Sequence, residues 1–166
     1  MRHIISILLQ NEAGALARVA GMFSARGYNI ESLTVAITHD ARVSRLTLVT
    51  TGEDAVIAQI ISQSRKIVDV LEIADLTSRE HLESELLIVK VVSTPQTSAK
   101  IGEFTHRRYG ITLDETESTR TLQFTGRGSH ITGVLDDLAA VAPVLELARS
   151  GTAALERGNQ VLAPPV

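Results

Sequence analysis

The sequence has no cysteine and no tryptophan, and aromatic residues make up only 3% of its 166 positions. Without cysteine there are no disulfides, no thiolate metal ligands and no cysteine nucleophile, which fits a reducing compartment. Two Tyr and three Phe leave little on which nucleic-acid bases could stack. Net charge is -3, so long-range attraction to a phosphate backbone is missing as well. No apolar run approaches the roughly 20 residues a membrane-spanning helix requires. Met1-Arg2-His3-Ile4 leads straight into a strand-like run rather than a signal-peptide or transit pattern. These absences predict a soluble, cytoplasmic, bacterial protein with no nucleic-acid and no membrane partner.

What is present is a 44% hydrophobic chain whose apolar residues change period in a repeated order. His3 to Leu9 reads as a strand. Leu16, Val19, Ala20 and Phe23 then fall on one face of a helix that Gly27 ends. Asn29 to Thr38 and Val43 to Thr50 alternate as the two arms of a hairpin. A helix carrying Val56, Ile57, Ile60 and Ile61 follows, then a strand from Ile67 to Leu76. The same order returns after the charged stretch 78–84, with strands at Leu86–Val92, Ile111–Glu117, Thr119–Thr125 and Val144–Arg149, and helices at Thr97–Arg108 and Ser129–Ala140. The expected architecture is α+β, two ferredoxin-like βαββαβ domains in tandem over 1–77 and 85–160, with a linker at 78–84 and a disordered tail at 161–166. Domains of this size have modest cores, so each should lean on another sheet or a second chain.

Little in the sequence suggests catalysis. The five His, at positions 3, 39, 81, 106 and 130, do not pair at metal-ligand spacing. Asp136 and Asp137 are neighbours on a helix and point to different faces, so they cannot share a proton as a catalytic dyad does. Gly126-Arg127-Gly128-Ser129-His130 sits where a phosphate loop would, yet it lacks a third glycine and a Walker lysine. A turn with Ser129 as helix N-cap explains it better.

The informative segment is Asn11-Glu12-Ala13-Gly14-Ala15-Leu16. A carboxylate sits well at a helix N-terminus, where backbone N–H groups lack intrahelical partners and the dipole is positive. Gly14 lets a ligand approach the main chain, and Asn11 offers both donor and acceptor. On the residues alone, binding a small zwitterion and merely capping the helix are equally good readings. Gly27-Tyr28-Asn29-Ile30 opens the second strand, which lies at the sheet edge in this topology and calls for a covering partner. The same strand of a second chain would supply one, with Asn29 facing the partner's Asn11 loop.

The runs Leu9-Gln10-Asn11-Glu12-Ala13-Gly14-Ala15-Leu16-Ala17-Arg18-Val19 and Phe23-Ser24-Ala25-Arg26-Gly27-Tyr28-Asn29-Ile30-Glu31-Ser32-Leu33-Thr34-Val35 closely resemble the small, regulatory subunits of acetolactate synthase. Ser44-Arg45-Leu46-Thr47, Lys66-Ile67-Val68-Asp69-Val70, Glu85-Leu86-Leu87-Ile88-Val89-Lys90-Val91 and Ala148-Arg149-Ser150-Gly151 match in order. Departures lie in the C-terminal half, at Thr105-His106-Arg107 and at Arg127-Gly128-Ser129-His130.

The resemblance implies an ACT domain over 1–77, which binds amino acids and dimerises. It further implies a regulatory subunit of a transferase holoenzyme, with no catalytic residues and no cofactor of its own. Its partner would be the catalytic subunit, carrying thiamine diphosphate, Mg2+ and FAD, which the small subunit activates and makes sensitive to valine in branched-chain amino-acid biosynthesis. Valine would contact Asn11, Gly14, Ala15 and Leu16 of one chain and Asn29 and Ile30 of its partner, with Val35 and Ala36 as apolar walls. The alternative is a free-standing ACT-type amino-acid sensor acting on another enzyme.

Overall fold

A computed structural model describes residues 1–164. Two compact units divide the chain, one formed by 1–82 together with the segment from Thr152 onward, the other by Glu83–Gly151. Both are antiparallel sheets with two helices, and the chain is α+β with the βαββαβ order written twice.

The first unit contains β1 (Arg2–Gln10), α1 (Ala15–Ser24), β2 (Ile30–Ile37), β3 (Val43–Thr51), α2 (Asp54–Ser64) and β4 (Val70–Asp75), in sheet order β2-β3-β1-β4. Period-two alternation sends Ile5, Ile7 and Leu9 of β1, with Leu46 and Leu48 of β3, toward the helices. There they meet Val19 and Phe23 of α1 and Ile57 and Ile60 of α2. Each such fully buried side chain contributes about 1.5–3 kcal/mol. Gly27 does end α1 as its position predicts: it takes φ +72°, and the following Tyr28 N–H donates back to the Phe23 carbonyl at 3.2 Å.

The fourth strand is shorter than its apolar run. Ile67 to Asp69 form a turn, in which the Ile67 N–H bonds the Ser64 carbonyl and Asp69 is buried. Its burial serves the β1–α1 loop, where Asp69 receives hydrogen bonds from Gln10 and Arg18.

The second unit contains β5 (His81–Val92), α3 (Ser98–Arg107), β6 (Ile111–Glu115), β7 (Thr119–Gly126), α4 (Gly128–Ala139) and β8 (Val144–Arg149), in order β6-β7-β5-β8. Its core joins Leu87, Val89 and Val91 to Leu122 and Phe124, with Ile101 and Phe104 of α3 and Ile131, Val134 and Leu138 of α4. Phe104 and Phe124 meet edge to face, with centroids 6.1 Å apart.

Three boundaries differ from the sequence reading. The charged stretch 78–84 is not all linker, because β5 already starts at His81 and continues its two-residue alternation through the charged positions. Ser129 is not an N-cap: α4 starts at Gly128, Arg127 holds the cap position in extended conformation, and no side chain caps it. The domain boundary at 160 is replaced by one at Gly151, since from there the chain returns to the first unit. A short strand, β9 (Ala153–Glu156), pairs with β5, whose first residues His81 and Leu82 belong to that unit. Ala154 and the partly buried Leu162 pack with Ile4, Val49, Ala74 and Leu76 on the side of the first sheet away from its helices. Residues 161–164, assigned to a disordered tail, therefore include a packed leucine; 165 and 166 lie outside the described residues.

Candidate functional site

The β1–α1 loop is held at both flanks. Gln10 N–H donates to the Asp69 carbonyl at 2.8 Å, and Asn11 N–H to the Arg42 carbonyl at 2.7 Å. The exposed Asn11 side chain ties the loop to the β2–β3 hairpin, its Nδ2 donating to the Ala41 carbonyl (2.8 Å) and its Oδ1 accepting from the Ser44 hydroxyl (3.1 Å). An amide has four hydrogen-bonding positions, so two remain for a ligand. Asn11 is thus pre-oriented by its own chain.

Gly14 holds the N-cap position of α1 at φ +87°, a conformation that favours glycine, and no side chain caps the helix. Ala15 is buried beneath the helix start, while Leu16 is 36% exposed. The first-turn N–H groups and the positive end of the dipole therefore lie beside a residue with no side chain.

Sequence reasoning missed the cation that stands over this glycine. Arg18, one helical turn on, makes a two-pronged ion pair with buried Asp69, Nε to Oδ2 at 2.5 Å and Nη2 to Oδ1 at 2.7 Å. Its hydrogen bonds hold the Asp69 carboxyl below the usual carboxylate range. A Cβ built on Gly14 would sit 2.8 Å from Arg18 Nη1. The only hint in the sequence was the four-residue spacing of Gly14 and Arg18; Asp69, 51 residues further, gave none.

The remaining candidates lie on β2. That strand is an edge whose ladder runs to β3, its Ser32 hydroxyl accepts from the Thr152 N–H at 3.2 Å, and its second half, Val35 to Ile37, is exposed. Ile37 opposes Ser44 and therefore lies at the Asn11 end of the sheet, whereas Ile30 opposes Thr50 at the other end. Asn29 is exposed there, with its carbonyl accepting from the Thr50 hydroxyl at 2.7 Å. At roughly 3.3 Å per residue, the length of β2 separates Asn29 from the Asn11 loop by about 20 Å. A single chain does not bring the two halves of the predicted site together. Val35 opposes Leu46 and shares the helix side of the sheet, but Ala36 opposes Arg45 on the other side. Those two residues cannot line one wall.

Among the described residues, no three His, Asp or Glu side chains cluster in a way that could hold a metal ion. No helix is long and apolar enough to cross a membrane.

Comparison with known proteins also divides the chain near residue 83, but the second match runs on past Gly151 to residue 158. Residues 5–72 match the family model described as the AHAS small subunit-like ACT domain, and residues 84–158 match that for the small subunit of acetolactate synthase. The isozyme 3 small subunit of acetolactate synthase from Escherichia coli is 42% identical over 98% of this chain and 99% of its own length. The acetolactate synthase small subunit of Haemophilus influenzae is 38% identical over 96% of this chain and 98% of its own. The crystal structure of the small subunit from Thermotoga maritima superposes with a TM-score of 0.87 at 28% identity, covering 96% of this chain and 99% of that one. The chain belongs to the acetolactate synthase small-subunit family.

Proposed function

We propose that this chain is a regulatory subunit that binds the thiamine-diphosphate-dependent catalytic subunit of acetolactate synthase, raises its activity and makes it sensitive to valine. The observation that carries the reading is the division of the candidate site: a glycine-headed helix start at one end of an exposed edge strand, and Asn29 at the other. Two copies paired antiparallel through β2 would bring Asn29 and Ile30 of one chain toward the Asn11 loop of the other. Valine's carboxylate then meets the N–H groups of Leu16 and its neighbours, with Gly14 leaving room and Arg18 adding positive charge. Its ammonium finds amide oxygens of Asn11 and Asn29, and its isopropyl group lies among Ala15, Ile30 and Val35. Ala36, on the opposite side of the sheet, has no part in this arrangement.

No group in this chain reacts in this reading; thiamine diphosphate, Mg2+ and FAD stay with the catalytic subunit. Inhibition arises because valine binds one state of the holoenzyme better than another. A single methylene in such a pocket is worth only about 1–3 kcal/mol, so leucine and isoleucine should bind more weakly but measurably.

The test is reconstitution with the cognate catalytic subunit, following acetolactate formation from pyruvate with and without valine. Addition of the chain should raise the rate and valine should lower it again. Gly14→Asp should keep the activation and lose the inhibition, because the new carboxylate repels valine's own and forces Arg18 aside. Full valine sensitivity in that variant would sink the site; no activation by the unaltered chain would sink the function.

A further inference from the structure

The side of the first sheet away from its helices mixes apolar residues with Ser6, Thr47, Glu72 and one arginine. Arg45 on β3 shares that side with Val49, because Leu46 and Leu48 between them face the helices. The segment from Ala153 to Leu162 passes over it and leaves a cleft of about 270 Å3. Ala74, Leu76, Leu155 and Leu162 supply apolar wall, and Val161, 81% exposed, stands among the lining residues.

Arg45 is poorly provided for there. Its Nη2 donates to the Ala154 carbonyl at 3.2 Å, while its buried Nε has no hydrogen-bond partner among the described residues. Burial pushes the guanidinium below its ordinary pKa, with no acidic group offsetting it. The one acid lining the cleft, Glu156, is bonded to Arg79 at 2.8 Å. Two guanidinium groups against one carboxylate leave the cleft with one uncompensated positive charge. A desolvated cation without a counter-charge is costly, and a leucine or methionine would fill the same space without that cost.

We infer that this cleft binds a short aliphatic monocarboxylate, its carboxylate on the Arg45 guanidinium and its hydrocarbon tail against Ala74, Leu76, Leu155 and Leu162. A carboxylate takes the paired donors on one edge of a guanidinium in a fork geometry. The volume lies just under the roughly 300–1,000 Å3 of pockets for drug-sized ligands, which suits a molecule of fewer than about ten heavy atoms. An ammonium group finds no free acid in the cleft, so amino acids are disfavoured. The site is separate from the β1–α1 loop and stands whether or not valine binds there.

The experiment is titration of the full-length 15N-labelled chain with 3-methylbutanoate, following the Arg45 Nε–H resonance. That resonance should shift saturably, while 3-methylbutanamide and valine at equal concentration should leave it in place. Arg45→Gln should weaken binding measured by calorimetry by about tenfold or more, the loss of a charge-assisted hydrogen bond. Val161→Glu changes an exposed side chain and places a competing carboxylate at the cleft. It should abolish binding while leaving the melting temperature unchanged or higher, which separates ligand loss from misfolding. Gly14→Asp should bind 3-methylbutanoate as the unaltered chain does. No saturable shift at Arg45, an equal shift with the amide, or binding that survives Val161→Glu would overturn the inference. Binding abolished by Gly14→Asp would instead assign the acid to the β1–α1 loop.

Discussion

β1 and β5 hold the same central place in their two sheets, but β1 is buried on both faces and β5 on one. All of His3 to Leu9 is buried, whereas β5 alternates, with Leu87, Val89 and Val91 inside and Ile88 36% exposed. One apolar face is all that an antiparallel sheet with helices on one side requires. The second apolar face of the first sheet exists because Ala154 and Leu162, far along the chain, return to Ile4, Val49, Ala74 and Leu76. The second sheet instead sets Lys90 opposite Glu146 on its corresponding face. The same fold order thus accepts two burial schemes, and the one with both faces buried is the one that also contains the Arg45 cleft.

Matched substitutions on those outer faces should show the largest effect. Ile4→Ala should cost about 2–4 kcal/mol in chemical unfolding, the range for truncating a fully buried aliphatic residue. Ile88→Ala, on the open face of β5, should cost less than about 1 kcal/mol. Equal costs would mean that the two faces are not differently buried in solution.

The helix ends offer a second contrast. α1 ends on Gly27 at φ +72°, with open space where a Cβ would go; α3 ends on Tyr109 at φ +55°, 94% exposed, followed by Gly110. Gly110 is needed for a different reason: its Cβ would meet the Phe124 ring. Gly27→Ala should therefore destabilise by about 1 kcal/mol through the backbone alone, and Tyr109→Gly should stabilise by up to about 1 kcal/mol. Thermal denaturation of the two variants checks both signs.

The smallest effect concerns acid. Each unit buries one carboxylate against an arginine, Asp69 with Arg18 and Glu85 with Arg149. Because Arg18 lowers the Asp69 pKa in the folded chain, that pair contributes stability above the ordinary carboxylate range and loses it as pH falls through the depressed value. The difference in melting temperature between the unaltered chain and Asp69→Asn should hold from neutrality to about pH 5 and shrink below about pH 4. A difference that shrank near neutral pH would assign the effect to another group.

What could be read in advance followed sequence distance. Elements defined by local period were legible: α1 from Leu16, Val19 and Phe23, and the alternating arms of the hairpin. So was the β1–α1 loop, since Asn11 and Gly14 lie within one turn of the helix they start. The difference between one buried face and two was not legible, because Leu86-Leu87-Ile88-Val89 of β5 is as continuous an apolar run as any in β1, which Ser6 interrupts. Illegible were pairings between distant residues: Arg18 with Asp69, Asn11 with Ser44, and Arg45 beneath Ala154. β9 has four residues, too few to show a period, and Leu162 stands two residues before a pair of prolines, where loops are expected.

The proposal that valine binds between two chains makes one demand that no single-chain site shares. Gly14→Asp and Asn29→Asp should each abolish valine inhibition of the reconstituted enzyme when used alone. Mixed after co-refolding, the two variants form dimers in which one site carries both changes and the other carries neither. Valine inhibition should then return in part, with the affinity of the unaltered chain. If the mixture stays as insensitive as its components while mixed dimers are demonstrably present, the site does not lie between two chains.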